Sequence, residues 1–168
     1  MTLTLILTRH AKSAWDDPMQ DDFDRPLTDR GRASAEAIAA WLDAKGQRPD
    51  VVLVSGAERT VETWNRMAPT FPRAVARTVP SLYLGNAAAI LAALRAEAAP
   101  TVMIICHNPG IADFARRIAR APADHPRFAD YPTAATTVLT FEAERWQDVD
   151  WQTGTVTAFT VPRDLTEA

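Results

Sequence analysis

The chain contains three histidines, and two of them, His10 and His107, directly follow short apolar runs. The run TLTLILT at 2–8 leads into Arg9-His10, and the run TVMIIC at 101–106 leads into His107-Asn108. A third run, VVLV at 51–54, ends at Ser55, with Arg59 one helical turn later. If these runs are parallel strands, the residues after them share one edge of the sheet. That edge, beyond the carboxyl ends of the strands, is where ligands bind in open α/β sheets. Two guanidinium groups and two imidazoles converging there form a cationic pocket. The planar fork of arginine suits phosphate oxygens, and backbone N–H groups of a helix starting near Gly56 add to the same field. A phosphoryl group is the natural ligand. An imidazole in such a pocket can attack phosphorus and form a covalent phosphoenzyme. Transfer of this kind depends on positioning and charge stabilisation and in principle needs no metal.

The elements that must hold these residues are legible as alternating patterns. Strands are expected at 2–8, 51–54, 74–79 and 101–106, the second and last apolar throughout, as central strands buried on both faces are. Helices are expected at 29–45, 57–68, 86–98 and 110–120. The first carries Ala33, Ala37, Ile38, Trp41 and Leu42 on one face, with Thr28 or Asp29 at its start and Gly46 at its end. Residues 135–141 and 155–161 alternate and suit a terminal antiparallel or mixed edge. The expected fold is α/β: a three-layer sandwich with a mostly parallel central sheet and helices on both faces, in one domain over 1–168. Two polar stretches, 13–28 and 121–134, are long enough to be functional loops or lids.

Composition narrows the function classes. The 168 residues are 47% hydrophobic and 23% charged, an ordinary globular balance. Eighteen Lys and Arg against 21 Asp and Glu leave a net charge of −3, which argues against a dedicated nucleic-acid binder. A local cationic pocket is compatible with that total, because net charge does not fix arrangement. No apolar run reaches 18 residues, and Met1–Thr8 lacks a basic leader, so neither a membrane span nor a signal peptide is expected, and a cytoplasmic location is. The single cysteine, Cys106, excludes an intramolecular disulfide. A zinc site from His10, His107 and Cys106 has no supporting ligand spacing.

Four blocks in order carry a resemblance to a known family. Leu7-Thr8-Arg9-His10-Ala11-Lys12-Ser13 is similar to an Arg-His-(Gly/Ala)-x-Ser/Thr signature after a first strand. Arg25-Pro26-Leu27-Thr28-x-x-Gly31, then Ser55-Gly56-Ala57-Glu58-Arg59-Thr60-x-x-Thr63, then Ile105-Cys106-His107-Asn108-Pro109 follow. Together they resemble the histidine phosphatase superfamily, whose fold is phosphoglycerate mutase-like, and within it the small bacterial SixA-type phosphohistidine phosphatases. The resemblance implies that His10 is the phosphorylated nucleophile and that Arg9, Arg59 and His107 form the phosphate pocket. It also implies a secondary phosphate contact from Ser13, and it places Asn108 in the substrate-binding segment. No cofactor or metal is implied.

The chain departs from many relatives at the proton donor for the leaving group. One subgroup has Asp directly after the second histidine, where this chain has Asn108. Another has Glu in the segment that reads Ser81-Leu82-Tyr83-Leu84-Gly85 here. The remaining candidates are Asp16, Asp17, Asp21 and Asp22 in the first loop, with Asp16 and Asp17 put forward as a possible general acid. An alkoxide leaving group needs acid help worth roughly 10²–10⁴-fold. An imidazole, with a pKa of about 6.5, leaves with little. The sequence therefore suits a metal-independent phosphatase acting on protein phosphohistidine. The alternatives are a small phosphate ester as substrate, or a non-catalytic phospho-ligand binding module on the same pocket. Arg25 is read as an anchor of the first loop, and Arg116, Arg117 and Arg120 as a solvated face.

Overall fold

A computed structural model describes residues 2–166. Four strands, β1 (Thr2–Arg9), β2 (Val51–Val54), β3 (Val75–Thr78) and β4 (Thr101–Cys106), are parallel. They alternate with helices α1 (Asp29–Ala44), α2 (Glu58–Met67), α3 (Ala87–Arg95) and α4 (Gly110–Ile118). Strands β5 (Thr136–Glu142) and β6 (Thr155–Thr160) add an antiparallel edge, and a short helix α5 (Pro162–Thr166) follows. The six-stranded sheet has the order β3-β2-β4-β1-β5-β6. It is the expected α/β, phosphoglycerate mutase-like architecture with a mixed sheet. β2 and β4 have the expected bounds, and the ends of the other elements lie within three residues of expectation. The strand expected at 74–79 contracts to β3, whose four residues are all exposed at the sheet edge. Among the described residues no helix is long and apolar enough to cross a membrane.

The pleat sends alternate side chains to opposite faces. Leu3, Leu5 and Leu7 of β1 and Val102, Ile104 and Cys106 of β4 pack under α3 and α4. Ile6, Met103 and Ile105 pack under α1 and α2 with Val52 and Val54. Burial on both faces explains why β2 and β4 are unbroken apolar runs.

The buried stripe of α1 is rotated from the expected one. It comprises Gly31, Ala35, Ile38, Ala39 and Leu42, while Ala33 is exposed and Ala37 and Trp41 are half-buried. Gly31 causes the rotation. A Cβ there would lie 2.2 Å from the Lys12 carbonyl oxygen, so only glycine lets the helix start press against the segment after β1. Thr28 makes the same junction from its other side. Its N–H donates to the Lys12 carbonyl (2.9 Å), and its hydroxyl caps the helix by accepting from Gly31 N–H (3.0 Å). The Arg-Pro-Leu-Thr-x-x-Gly block thus fixes α1 against the chain that carries His10. At the far end Gly46 takes φ +71° as the left-handed stop.

The strand register decides what meets at the carboxyl edge. Arg9 pairs with Cys106, and Val54 with Ile105. Hydrogen bonds continue the register one step further. His10 N–H donates to Cys106 O and Ser55 N–H to Ile105 O, both at 3.1 Å. His10, His107 and Ser55 are therefore neighbours across three adjacent strands.

Candidate active site

The carboxyl edge opens into a cleft of about 440 Å³ that contains Arg9, His10, Ser13, Arg59, His107 and Asn108. His10 and His107 are buried, with ring centroids 5.4 Å apart. His10 Nδ1 lies 2.7 Å from the Ala11 carbonyl oxygen. A carbonyl only accepts, so Nδ1 carries the proton and Nε2 keeps the lone pair. His107 Nε2 lies 2.7 Å from Ser55 Oγ. Arg9 donates from Nη1 to Tyr131 O (3.2 Å). Arg59 donates from Nη1 to Asp22 O (2.7 Å) and from Nη2 to Asp22 Oδ2 (3.0 Å).

Helix α2 is locked to the segment after β1 by Thr63. Its hydroxyl accepts from Ala11 N–H (3.0 Å) and donates to Arg59 O (2.6 Å). Thr60 bonds back to Ser55 O and Ala57 O. The Ser-x-Ala-x-Arg-x-x-x-Thr spacing is thus a mechanical requirement: it puts Arg59 over the edge and ties its backbone to that of Ala11, next to His10.

Four buried side-chain polar atoms lack a hydrogen-bond partner among the described residues: Arg9 Nε, Arg59 Nε, His107 Nδ1 and Asn108 Oδ1. Unpaired buried polar atoms are costly and rare. All four belong to residues of this one cleft. Three are nitrogens of cationic or imidazole groups, the kind of donor that binds an anion. Lys12, Arg9, Arg25 and Arg59 line the cleft against a single carboxylate, Asp22.

The structure places the other expected residues less uniformly. Ser13 lines the cleft, and its hydroxyl accepts from Arg25 Nη1 (3.3 Å). Asn108 lines it too, but both its amide protons are directed to loop carbonyls, Asp130 O (2.9 Å) and Tyr131 O (3.0 Å). It therefore secures the loop at 121–134, whose Tyr131 and Ala134 adopt φ of 50° and 62°. Asp16 and Asp17 are a correction: both are exposed and outside the cleft, and Asp17 Oδ1 accepts from Met19 N–H within its own turn. Asp22 takes the place in the cleft expected of them, because a 3-10 turn at Asp22–Asp24 folds the loop back over Arg59.

Asp22 is gripped from three sides, by Arg59, by Arg25 (Nη2–Oδ1 2.8 Å) and by the Tyr83 hydroxyl (2.7 Å). Arg25, the expected loop anchor, stacks on Trp15 with Cζ 3.2 Å from the ring centroid. Tyr83 also meets His107 edge-to-face at 5.5 Å. Sequence reasoning passed over Tyr83 because that segment was searched only for a carboxylate. Its position alone was the available signal. Cys106 faces the apolar core, where burial pushes its thiol up to about 12. Among the described residues no group of three or more His, Cys, Asp or Glu is placed to hold a metal ion.

Burial holds His10 down to about 3, helped by Arg9 and opposed by the bond to Ala11 O. Burial, then Arg59, holds His107 down to about 4. Both are neutral in the folded protein at pH 7, whereas the unfolded chain binds these protons near 6.5. The unfolded state thus holds more protons below pH 6.5, and this contribution to stability, full above 6.5, declines as pH falls toward 4. Melting temperatures between pH 7.5 and 5, above the carboxylate range, should fall with pH, and the slope should be shallower in His10→Ala. A flat profile in wild type contradicts the assignment.

Burial acts to raise the Asp22 pKa, but the hydrogen bonds from Tyr83, Arg25 and Arg59 outweigh it and hold the carboxyl down to about 2. Asp22 is therefore ionised at neutral pH and has no proton to donate. Its fit is to orient Arg59, taking both terminal nitrogens so that Nε remains for the ligand. Asp22→Asn should lower kcat/KM roughly 10- to 100-fold by loosening Arg59. The loss should be equal for good and poor leaving groups; a loss confined to poor leaving groups would instead identify Asp22 as an acid.

With this geometry in place, comparison with known proteins is informative. The sequence model of the histidine phosphatase superfamily (branch 1) matches residues 5–82. The fold superposes along nearly its whole length on a candidate phosphohistidine phosphatase SixA from Nakamurella multipartitia. The TM-score is 0.81 at 28% identity, covering 96% of this chain and 97% of that one. The chain thus resembles the histidine phosphatase superfamily in its N-terminal half by sequence and SixA-type structures along its length by fold. A candidate SixA from Agrobacterium tumefaciens gives a TM-score of 0.77 at 26% identity, over 95% of this chain and 98% of that one. An uncharacterised chloroplastic protein of Arabidopsis thaliana is 43% identical over 82 residues, 47% of this chain and 38% of the relative, so the match spans well under half of that protein. The family match supports phosphatase chemistry, and these two SixA-type structures are similar to this chain over nearly its whole length.

Proposed function

We propose that this protein is a histidine phosphatase that forms a covalent intermediate on His10 without a metal and takes phosphohistidine on a protein as its substrate. The observation that carries this is the arrangement around His10. Its Nε2 lone pair is free by tautomer, and buried unpartnered nitrogens of Arg9, Arg59 and His107 share the cleft.

Nε2 of His10 attacks phosphorus. The P–N bond of the substrate breaks, and its electron pair stays on the departing imidazole, which takes a proton from water. Arg9, Arg59 and His107 meet the charge on the equatorial oxygens. Water then attacks phospho-His10, the new P–N bond breaks, and inorganic phosphate leaves as neutral His10 is restored. The one carboxylate in the cleft is ionised. That favours a leaving group able to depart without an acid, which imidazole is and an alkoxide is not. The similarity to SixA-type proteins supports the same reading.

The test is phosphate release in EDTA from a phosphohistidine-bearing protein, with an alkyl phosphate in parallel. Faster release from phosphohistidine supports the proposal. Equal or faster turnover of the alkyl ester makes the protein a small-ester phosphatase. Thermal protection by phosphate with no turnover of either substrate makes it a binding module.

A further inference from the structure

We propose that a second, cationic trough beside the phosphoryl cleft docks acidic side chains flanking the phosphohistidine of the protein substrate. The proposal rests on the reading of the substrate given above and extends it to what surrounds the phosphorylated residue.

The trough has a volume of about 270 Å³ and is bounded by α1, the loop before β5 and the start of α5. Lys12, Arg30, Arg127 and Arg163 line it, and among the described residues no carboxylate does. It is continuous with the phosphoryl cleft, because Lys12 and Thr133 belong to the walls of both. A chain whose phosphorylated side chain enters the first therefore lays its neighbouring residues over the second.

Charge distinguishes this trough from the other described pockets away from the phosphoryl cleft, none of which is lined by two lysines or arginines without an ion pair. Most arginines of the molecule are matched to a nearby carboxylate, as Arg48 is to Asp43, Arg66 to Glu36, Arg95 to Asp150 and Arg145 to Asp148. Arg127 follows that pattern with Asp130. Lys12 and Arg30 form no ion pair among the described residues. Lys12 is one of only two lysines in the chain. Two uncompensated cations thus stand beside the catalytic pocket of a protein whose net charge is −3. An acidic partner would be repelled by the whole molecule, so a local cationic strip is what steers it to the right edge.

The exposure of the side chains selects a macromolecular partner over a second small anion. Lys12, Arg30 and Arg127 are all exposed. Small anions are held by buried, convergent donors such as those of Arg9 and Arg59 next door. Long exposed cations around an open trough suit carboxylates presented on another protein's surface, which bring their own scaffold.

Two synthetic peptides, identical except that four residues flanking a central phosphohistidine are Glu in one and Gln in the other, separate the possibilities. For wild type, kcat/KM on the Glu peptide should exceed that on the Gln peptide by about tenfold, mostly through KM, and the advantage should shrink as salt is raised. Arg30→Glu, and independently Ser34→Glu on the same trough wall, should reduce the ratio to about one or below and leave turnover of the Gln peptide within about twofold. Equal turnover of both peptides by wild type, or a preference that survives both substitutions, overturns the docking trough while leaving the substrate reading intact. No turnover of either peptide, with an alkyl phosphate still hydrolysed, overturns the substrate reading and the trough with it.

Discussion

Replacing His10 with alanine is expected to reduce phosphate release by roughly 10³-fold or more while preserving phosphate binding within a few-fold. The two readouts separate because different groups carry them. Arg9 Nε, Arg59 Nε and His107 Nδ1 remain in the variant, so the anion site persists. The proposed nucleophile is gone, and nothing nearby replaces it. Cys106 is directed into the core with its thiol pushed up to about 12, and Ser55 Oγ is engaged by His107. His107 itself is held by Ser55 and lies 5.4 Å from the His10 ring, on the neighbouring strand. Rapid-quench single turnovers with labelled substrate should trap an acid-labile phosphoenzyme in wild type and none in the variant. Phosphate-induced thermal protection measures the binding half. Retention of more than a tenth of wild-type turnover would mean that His10 is a pocket wall rather than the nucleophile.

Arg59→Lys should be the next most damaging change, lowering kcat/KM by roughly 10²–10³-fold. Charge is conserved, so the loss measures geometry. The guanidinium performs two tasks at once: Nη1 and Nη2 bind the carbonyl and carboxylate of Asp22, while Nε stays unpartnered in the cleft. A lysine ammonium is a single point and cannot span both. The loop at 13–28 then loses its tie to α2 at Asp22, keeping among the described residues only the bond from Leu27 N–H to Glu62, and phosphate loses a donor. Phosphate affinity and turnover should therefore fall together, in contrast to His10→Ala. If Arg59→Lys matched wild type within about threefold, the fork geometry would be irrelevant and Arg59 would act through charge alone. Placing this variant beside Asp22→Asn also orders the chain of support, since Asp22 acts only through Arg59 and its removal should cost less.

Much of the fold was legible because its signals are local. The unbroken apolar runs at 51–54 and 101–106 are what double-sided burial requires of β2 and β4. Thr28 and Gly46 mark the ends of α1 through hydrogen bonds and backbone conformation set within a few residues. Arg9, His10, Arg59 and His107 could be nominated because each follows a strand end at fixed short spacing, and the parallel arrangement brings strand ends to one edge. The face of α1 was not legible. Periodicity proposes a stripe, but the close approach of Gly31 to Lys12 O turns the helix by packing against a segment distant in sequence.

The same division runs through the site. The residue types at the carboxyl ends of the strands, and an amide rather than a carboxylate directly after His107, are written in the string of residues. Which loop residue enters the cleft depends on contacts between distant segments. Asp16, Asp17, Asp21 and Asp22 are equivalent as a string of acids, and they become different when the turn at Asp22–Asp24 folds over Arg59, 37 positions away in the chain. Tyr83 and Arg25 join them from two further segments. Strand-end residues are placed by backbone hydrogen bonding whose period is written locally. Loop carboxylates are placed by whichever distant cations satisfy them, and that choice exists only once the sheet has brought those cations together.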